Sequence, residues 1–241
     1  MAECLIVIPT YNEVENIEIL LRRLFKYIPE VEILVVDDNS PDGTAKVIRE
    51  LKNQFPTLYI LERGAKAGLG SAYRAGFSWA LDRGYEEIIE MDADFSHRVR
   101  DLIKMIAIKQ SNPEISLVIG SRWISGGETQ NWSKGRQLLS RSANLYARVM
   151  LGMGIKDATA GFRIYSSQIL KRVNLEGIRS EGYAFQIEMS RAVSKLGGKI
   201  IEVPIIFRER EEGVSKMSKK IVFEAIFFVT AWGVKRFLRI K

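Results

Sequence analysis

The sequence predicts an α/β fold: a doubly wound, mainly parallel sheet with helices on both faces. Three observations carry that reading. Short apolar runs bounded by polar turn residues recur through the first half of the chain, stretches with helical spacing separate them, and polar clusters follow the runs.

The runs Leu5–Ile8, Ile33–Val36, Leu58–Leu61, Ile88–Met91 and Leu117–Ile119 have the length and aliphatic content of buried strands. Between the first two, Ile17, Leu20, Leu21, Leu24 and Phe25 repeat at helical spacing. Leu69, Tyr73, Gly76, Phe77, Ala80 and Leu81 do the same before the fourth run, and a further helix is expected to start near Arg98. The stretch Ser125–Gly135, rich in Gly, Ser and Asn, is the longest loop candidate. Beyond it, Leu138, Ser142, Leu145 and Val149, with Leu139, Ala143, Tyr146 and Met150, form two adjacent apolar ridges of a helix, which leaves Arg136, Ser140 and Asn144 on a polar side. No internal repeat and no linker rich in Pro, Gly or Ser divides the chain. The expected organisation is one domain over 1–220, followed by a basic amphipathic helix over 221–241.

With 241 residues, 46% of them hydrophobic, the chain can bury a sizeable core, and a disordered tail is excluded as its general character. The single cysteine, Cys4, excludes an intramolecular disulfide and a Cys-based zinc site, and suits a reducing compartment. The single histidine, His97, argues against a multi-His metal site. No secretory leader is expected at the N-terminus, which lacks a basic n-region and a long apolar stretch. Ile221–Val234 is apolar apart from Glu224. As a helix it measures about 21 Å against a hydrocarbon core of about 30 Å, so it can lie on a membrane but not cross it.

The net charge of +7 is unevenly spread. Val214–Lys241 holds seven basic residues and one acid, and Gly120–Met150 holds five basic residues and one acid, so the remainder is mildly acidic. A basic total suggests an anionic partner, whether nucleic acid, phosphate ligand or membrane surface. No nucleic-acid motif is present, and the aromatics are not interleaved with a basic stripe, so no nucleic-acid partner is expected.

In doubly wound sheets ligands gather at the carboxyl ends of the strands. Pro9-Thr10-Tyr11-Asn12-Glu13 follows the first strand, Asp37-Asp38-Asn39-Ser40 the second, and Asp92-Ala93-Asp94 the fourth. Two carboxylates one residue apart at a strand exit can hold Mg²⁺ or Mn²⁺ through hard oxygen ligands, leaving other positions for diphosphate oxygens and water. Ser96 could add an oxygen; His97 reads more readily as structural. Gly64–Ser71 places loop glycines and Lys66 before a helix whose N-terminus offers N–H groups to an anion, although the order is not that of a Walker A loop.

These motifs carry a resemblance. Pro9–Glu13, Val35–Ser40, Gly68–Ala72, Asp92–His97, Gly120-Ser121-Arg122 with Gly126-Gly127, and Asn131-Trp132 resemble, in order, the inverting glycosyltransferases of family two. Arg136 with Ser140-Arg141, Asp157–Arg163, Gly182–Gln186, Glu202–Ile205 and Arg210-x-x-Gly213-x-Ser215-Lys216 are similar to the dolichol-phosphate (polyprenol-phosphate) mannosyltransferases, so that the likeness covers roughly residues 5–220.

The resemblance implies a GT-A fold, a nucleotide-sugar donor (GDP-mannose), a divalent metal, Mg²⁺ or Mn²⁺, and a dolichyl or polyprenyl phosphate acceptor. By matching motif, Pro9, Tyr11, Glu13, Val36, Asp38, Lys66, Asp92 and Ala93 would hold the nucleotide sugar. Asp94 and Ser96 would hold the metal, Asp92 sharing it; Arg122, Arg136 and Ser140 would meet the acceptor phosphate; and Arg210 and Lys216 the donor diphosphate. Asp92, Asp94 and Arg122 are the residues expected to carry catalysis. One departure is visible: the family segment after the histidine usually carries Pro and an acid, whereas this chain reads Arg98-Val99-Arg100-Asp101, so a differently capped helix is expected there.

The chemistry agrees with an anionic acceptor. A phosphate nucleophile needs no strong general base, and relatives that glycosylate hydroxyls resemble one another in a Glu-Asp pair where this chain has Glu181-Gly182. The expectation is an inverting, metal-dependent mannosyltransferase on the cytosolic face of a membrane, held by 221–241 and by small anchoring subunits if present. Transfer from UDP-glucose and a non-catalytic nucleotide-sugar-binding subunit are the alternatives. Arg163 also admits a structural pairing with Asp157, Tyr11 and Trp132 admit packing roles, and Phe223, Phe227, Phe228 and Trp232 suit a core equally well.

Overall fold

The computed structural model describes residues 4–209 and 219–238. The five apolar runs are the first five strands: β1 (Cys4–Thr10), β2 (Glu32–Asp37), β3 (Leu58–Glu62), β4 (Glu87–Glu90) and β5 (Ile115–Ser121). Helices α1 (Val14–Tyr27), α2 (Thr44–Lys52), α3 (Leu69–Asp82) and α4 (Val99–Ser111) connect them. The rest of the chain adds β6 (Glu128–Gln130), α5 (Lys134–Leu151), β7 (Arg163–Ser166), α6 (Ser167–Arg172), α7 (Gly182–Lys195), β8 (Lys199–Pro204), β9 (Ile206–Arg208) and α8 (Lys219–Phe237).

Seven strands form one sheet in the order β3-β2-β1-β4-β7-β5-β8. All neighbours are parallel except β7, which lies antiparallel between β4 and β5. The short strands β6 and β9 pair separately. Both faces of the sheet are covered, as the aliphatic runs of β1, β2 and β5 require. Leu5 and Val7 point into one core with Tyr73 and Phe77 of α3 and Phe185 of α7, whereas Ile6 and Ile8 point into the other with Leu20 and Leu24 of α1 and Met105 of α4. Gly76 lets α3 sit close on the sheet, since a Cβ there would come within 2.4 Å of Val7 Cγ1.

Helix α5 inverts the expected orientation of its first ridge. Asn144, Ala147 and Leu151 are its buried face, while Leu138 and Val149 are 67% and 59% exposed and Leu145 is exposed too. The second ridge fares differently, because Tyr146 and Met150 pack against the core. The physical reason is that Asn144 finds hydrogen-bond partners inside the protein, so a polar residue earns a buried place that periodicity alone assigns to leucine.

Helix α8 begins ahead of the expected boundary at 220/221 and lies against α5. Val229 is buried, Trp232 packs on the core, and Tyr146 Oη lies 2.7 Å from Thr230 Oγ1. Phe223 and Phe227 are 70% and 69% exposed. Among the described residues, no helix is long and apolar enough to cross a membrane.

Candidate active site

The carboxyl ends of β1, β2 and β4 lie side by side, and the loops leaving them hold Asn12, Asn39 and Phe95 at φ of 57°, 58° and 60°. Left-handed backbone at non-glycine residues is costly and clusters where a loop is shaped for a ligand.

The two acids after β2 have different tasks. Asp37 is fully committed to the fold, accepting from Thr10 Oγ1 at 2.8 Å, Ser40 N at 2.9 Å and Ser40 Oγ at 2.6 Å. Asp38 pairs with Arg63 at 3.1 Å and accepts from Ala67 N at 3.1 Å. Lys66 lies 3.9 Å from the centre of the Tyr11 ring, which gathers these four side chains beyond the carboxyl ends of β1, β2 and β3. Pro9 and Val36 are neighbours in the β1–β2 register, and the Val36 side chain belongs to the core while Leu61 of β3 lies opposite it on the other side. Glu13 is buried, accepting from Asn16 Nδ2 at 3.0 Å.

Beyond β4, Tyr73 Oη donates to Asp92 Oδ1 at 3.2 Å, and His97 Nε2 is 3.4 Å from Asp92 Oδ2. Burial, reinforced by Asp92, pushes the Tyr73 phenol well up, so it stays a proton donor to that carboxylate. Ser96 N donates to Asp94 Oδ1 at 3.1 Å; Asp94 and Ser96 are both buried, as is Ala93 between the two aspartates. Ser96 Oγ is buried without a protein partner. An orphaned hydroxyl beside a buried carboxylate fits a hard divalent cation, and among the described residues no third acid, His or Cys completes a cage, which leaves coordination positions for phosphate oxygens and water. At the start of α4 Arg98 stands at the N-cap position without a side-chain cap and reaches forward to Asp101 at 2.8 and 2.9 Å, and Asp101 also accepts from Ile206 N.

A second centre surrounds Arg122. Its Nε and Nη2 meet Asp157 at 2.7 and 2.6 Å, Nη2 also meets Thr159 Oγ1 at 2.9 Å, and its backbone N donates to the same carboxylate at 2.9 Å. Burial works against this guanidinium, but Asp157 more than offsets it and holds the group above its ordinary value. Arg136 pairs with Glu209 and lies 4.1 Å from the ring centre of Trp132, a buried residue that Arg122 also approaches. Arg122, Arg136, Ser140 and Thr159 all stand in the wall of one cavity of about 450 Å³ between α5, α7 and α8. The rest of its lining is mostly apolar, including Leu139, Ala143, Tyr146, Ile187, Ile226 and Val229.

Two expectations are corrected. Arg163 does not pair with Asp157. It is fully buried and donates to the carbonyls of Ala158, Ala160 and Gln186 at 2.7, 2.7 and 2.9 Å, tying the 157–161 loop to α7. The anion at the N-terminus of α3 is the protein's own: Glu181 accepts from Gly70 N at 2.7 Å and Ser71 N at 3.1 Å. Gly68, at φ +98°, leaves room for it, since a Cβ would come within 2.4 Å of Glu181 Oε2. Arg210 and Lys216 lie outside the described residues.

Sequence reasoning missed Arg63, Tyr73, Thr159 and Asn144 as neighbours of the two centres. Arg63 was findable, because it immediately follows the third strand's Glu62, and the strand-end rule applies there as it does to β1, β2 and β4.

The sheet order, with polar loops and a pair of aspartates at adjacent strand ends, is that of a GT-A glycosyltransferase. The chain belongs to glycosyl transferase family 2, whose family model matches residues 5–173. It is 46% identical over 231 residues to the undecaprenyl-phosphate mannosyltransferase of Micrococcus luteus, covering 95% of this chain and 93% of that one. It is 45% identical over 232 residues to the polyprenol monophosphomannose synthase of Mycolicibacterium smegmatis, covering 96% and 87%. Among solved structures, it is similar to the mannosyltransferase of Pyrobaculum calidifontis in complex with GDP-Man and Mn²⁺, with a TM-score of 0.62, 17% identity, and 99% of this chain and 65% of that chain covered. The protein is a glycosyltransferase enzyme.

Proposed function

We propose that this enzyme transfers mannose from GDP-mannose to a polyprenyl phosphate, with inversion and with help from Mg²⁺ or Mn²⁺, at a membrane surface. The observation that carries the acceptor assignment is the apolar cavity whose wall also holds Arg122, Arg136, Ser140 and Thr159. Isoprene units suit its aliphatic lining, and a guanidinium fork with a hydroxyl suits a phosphate. The two relatives, named for undecaprenyl-phosphate and polyprenol substrates, support the same class.

Within this reading Asp38, Arg63, Tyr11 and Lys66 receive the nucleoside end of the donor, and Asp92 and Asp94 lie at the diphosphate. Asp94 and Ser96, with Asp92, would hold the divalent cation, which supplies charge neutralisation to the leaving diphosphate. Arg122 and Arg136 orient an acceptor oxygen that is already anionic, so the chain needs no general base, and Glu181 is free to serve as the cap of α3. Arg210 and Lys216 are assigned to the same diphosphate by motif alone. The Asp38–Arg63 pair offers an acceptor and a donor to either guanine or uracil, so the similarity to mannosyltransferases, rather than this pair, favours GDP-mannose.

The membrane-surface assignment now rests on two helices. Leu138, Leu145 and Val149 of α5 and Phe223 and Phe227 of α8 are exposed, and the same two helices wall the cavity. Lys134, Lys235 and Arg236 on these helices suit anionic headgroups at about 1 kcal/mol each near the surface.

The test is a donor screen with a short-chain polyprenyl phosphate and Mg²⁺ or Mn²⁺, reading the lipid product by mass. A hexose adduct from GDP-mannose is expected. An adduct from UDP-glucose alone would replace the donor assignment, and no product from GDP-mannose, UDP-glucose or UDP-GlcNAc would overturn the reading.

A further inference from the structure

The acceptor cradle has two arms on different parts of the chain. Arg136 and Ser140 are on α5, whereas Arg122 and Thr159 stand on the end of β5 and the loop before β7, held by Asp157. A phosphate can be gripped by both only if their spacing is fixed. Asn144, buried on α5, touches each arm. Its Nδ2 donates to Ser140 O at 3.0 Å and to Thr159 Oγ1 at 3.0 Å, and approaches Asp157 Oδ1 at 3.4 Å; its Oδ1 accepts from Thr159 N at 3.2 Å.

We propose that Asn144 is the positioning residue that sets the distance between the two arms of the acceptor-phosphate cradle, acting through Thr159 and Asp157 on Arg122. This deepens the function proposed above and rests on it.

The chemistry explains why an amide is suited to the position. The Thr159 backbone N–H needs an acceptor, while the Thr159 hydroxyl and the Asp157 carboxylate can each take a further donor, and a primary amide presents an acceptor oxygen and two N–H donors on one planar group. Gln is a methylene longer and would push α5 away. Asp157 is itself held from the far side, because Glu202 accepts from Lys156 N at 2.8 Å and Asp157 N at 2.9 Å. The loop is therefore anchored to β8 through Glu202, to α7 through Arg163 and to α5 through Asn144, and losing the last of these lets the loop's arm of the cradle shift relative to the arm on α5.

The experiment compares wild type, Asn144→Ala and Asn144→Ser using GDP-mannose and a short polyprenyl phosphate, with thermal melts and GDP binding measured on each. Asn144→Ser retains a small polar group and guards against failure to fold. The expected result is an acceptor KM raised about tenfold in Asn144→Ala and less in Asn144→Ser, with donor KM and GDP binding within about twofold of wild type. A folded Asn144→Ala variant with unchanged acceptor KM, or one whose donor and acceptor KM rise alike, would overturn the positioning role while leaving the enzymatic reading intact. Failure of the wild-type protein to use the lipid phosphate would overturn that reading instead.

Discussion

Removing Asp157 tests how the acceptor centre is built. Its carboxylate faces the Arg122 guanidinium at 2.6 and 2.7 Å and takes the Arg122 backbone N–H at 2.9 Å, with both residues buried. In Asp157→Ala the guanidinium remains buried without its counter-charge. Breaking a buried pair from one side costs about 3–5 kcal/mol. At about 2–4 °C per kcal/mol for a chain of this size, the melting temperature should fall by roughly 6–20 °C. Removing both charges, as Asp157→Leu with Arg122→Met, eliminates the stranded cation. Most of the loss should return, leaving about 1 kcal/mol for the Arg122 N–H that has lost its acceptor. Scanning fluorimetry and circular dichroism on the three proteins measure this directly. Transfer to polyprenyl phosphate should stay abolished in the double variant although GDP still binds. A melt of Asp157→Ala within about 2 °C of wild type, or a double variant no more stable than the single, would refute the claim that this ion pair holds the loop.

Three further outcomes are expected. Ser96→Ala should leave the melting temperature unchanged or slightly raised, since Ser96 Oγ has no protein partner, while the Mn²⁺ concentration giving half-maximal activity rises about tenfold in a titration after chelation. Glu90, fully buried two residues before Asp92, has its carboxyl pushed from an ordinary 4.5 to about 8, by burial first, with Arg163 pulling the other way. The folded state then holds this proton more tightly than the unfolded chain, so Glu90 lowers stability progressively as pH rises from about 4.5 to about 8, and melts of Glu90→Gln across that range should show a shallower decline than wild type. Phe223→Ser with Phe227→Ser should leave the melt unaltered because both rings are exposed, yet weaken binding to phosphatidylglycerol vesicles at least tenfold, each buried ring being worth about 1.5–3 kcal/mol; unaltered vesicle binding would remove these rings from the lipid surface.

The parts of the fold that were legible are those where one local rule dominates. A strand buried on both faces is built mainly of aliphatic residues, so β1, β2 and β5 announce themselves, and β4 does so through Ile88 and Ile89 between two buried glutamates; the loops after β1, β2 and β4 show as polar clusters at strand exits. Strand β7 does not announce itself, because it opens on Arg163, whose burial is tolerable only through carbonyls of Ala158, Ala160 and Gln186 that the folded chain brings to it. Strand β8, at the sheet edge and mostly half-buried, carries too weak a pattern. Asn144 is hidden for the same reason as Arg163: its partners Asp157 and Thr159 lie 13 and 15 residues away, beyond the reach of a helical period.

The charge count shows how much such pairing matters to function. The basic segment Gly120–Met150 looks like a reservoir of free cations, but Arg122 is bound to Asp157 and Arg136 to Glu209. Under the proposed function, an arriving acceptor phosphate would meet a site in which carboxylates have already oriented the guanidiniums. The two arginines differ in what they can yield. Asp157 is wholly buried and braced by Glu202, so Arg122 keeps its partner and shares its charge; Glu209 is about a third exposed at the side chain and adjoins Arg210, so an acceptor phosphate can take its place on Arg136. Exchanging one carboxylate for one phosphate at Arg136 leaves the local charge nearly balanced before and after binding. Under the proposed function, that exchange lets both arginines receive a phosphate without either guanidinium standing unpaired beforehand.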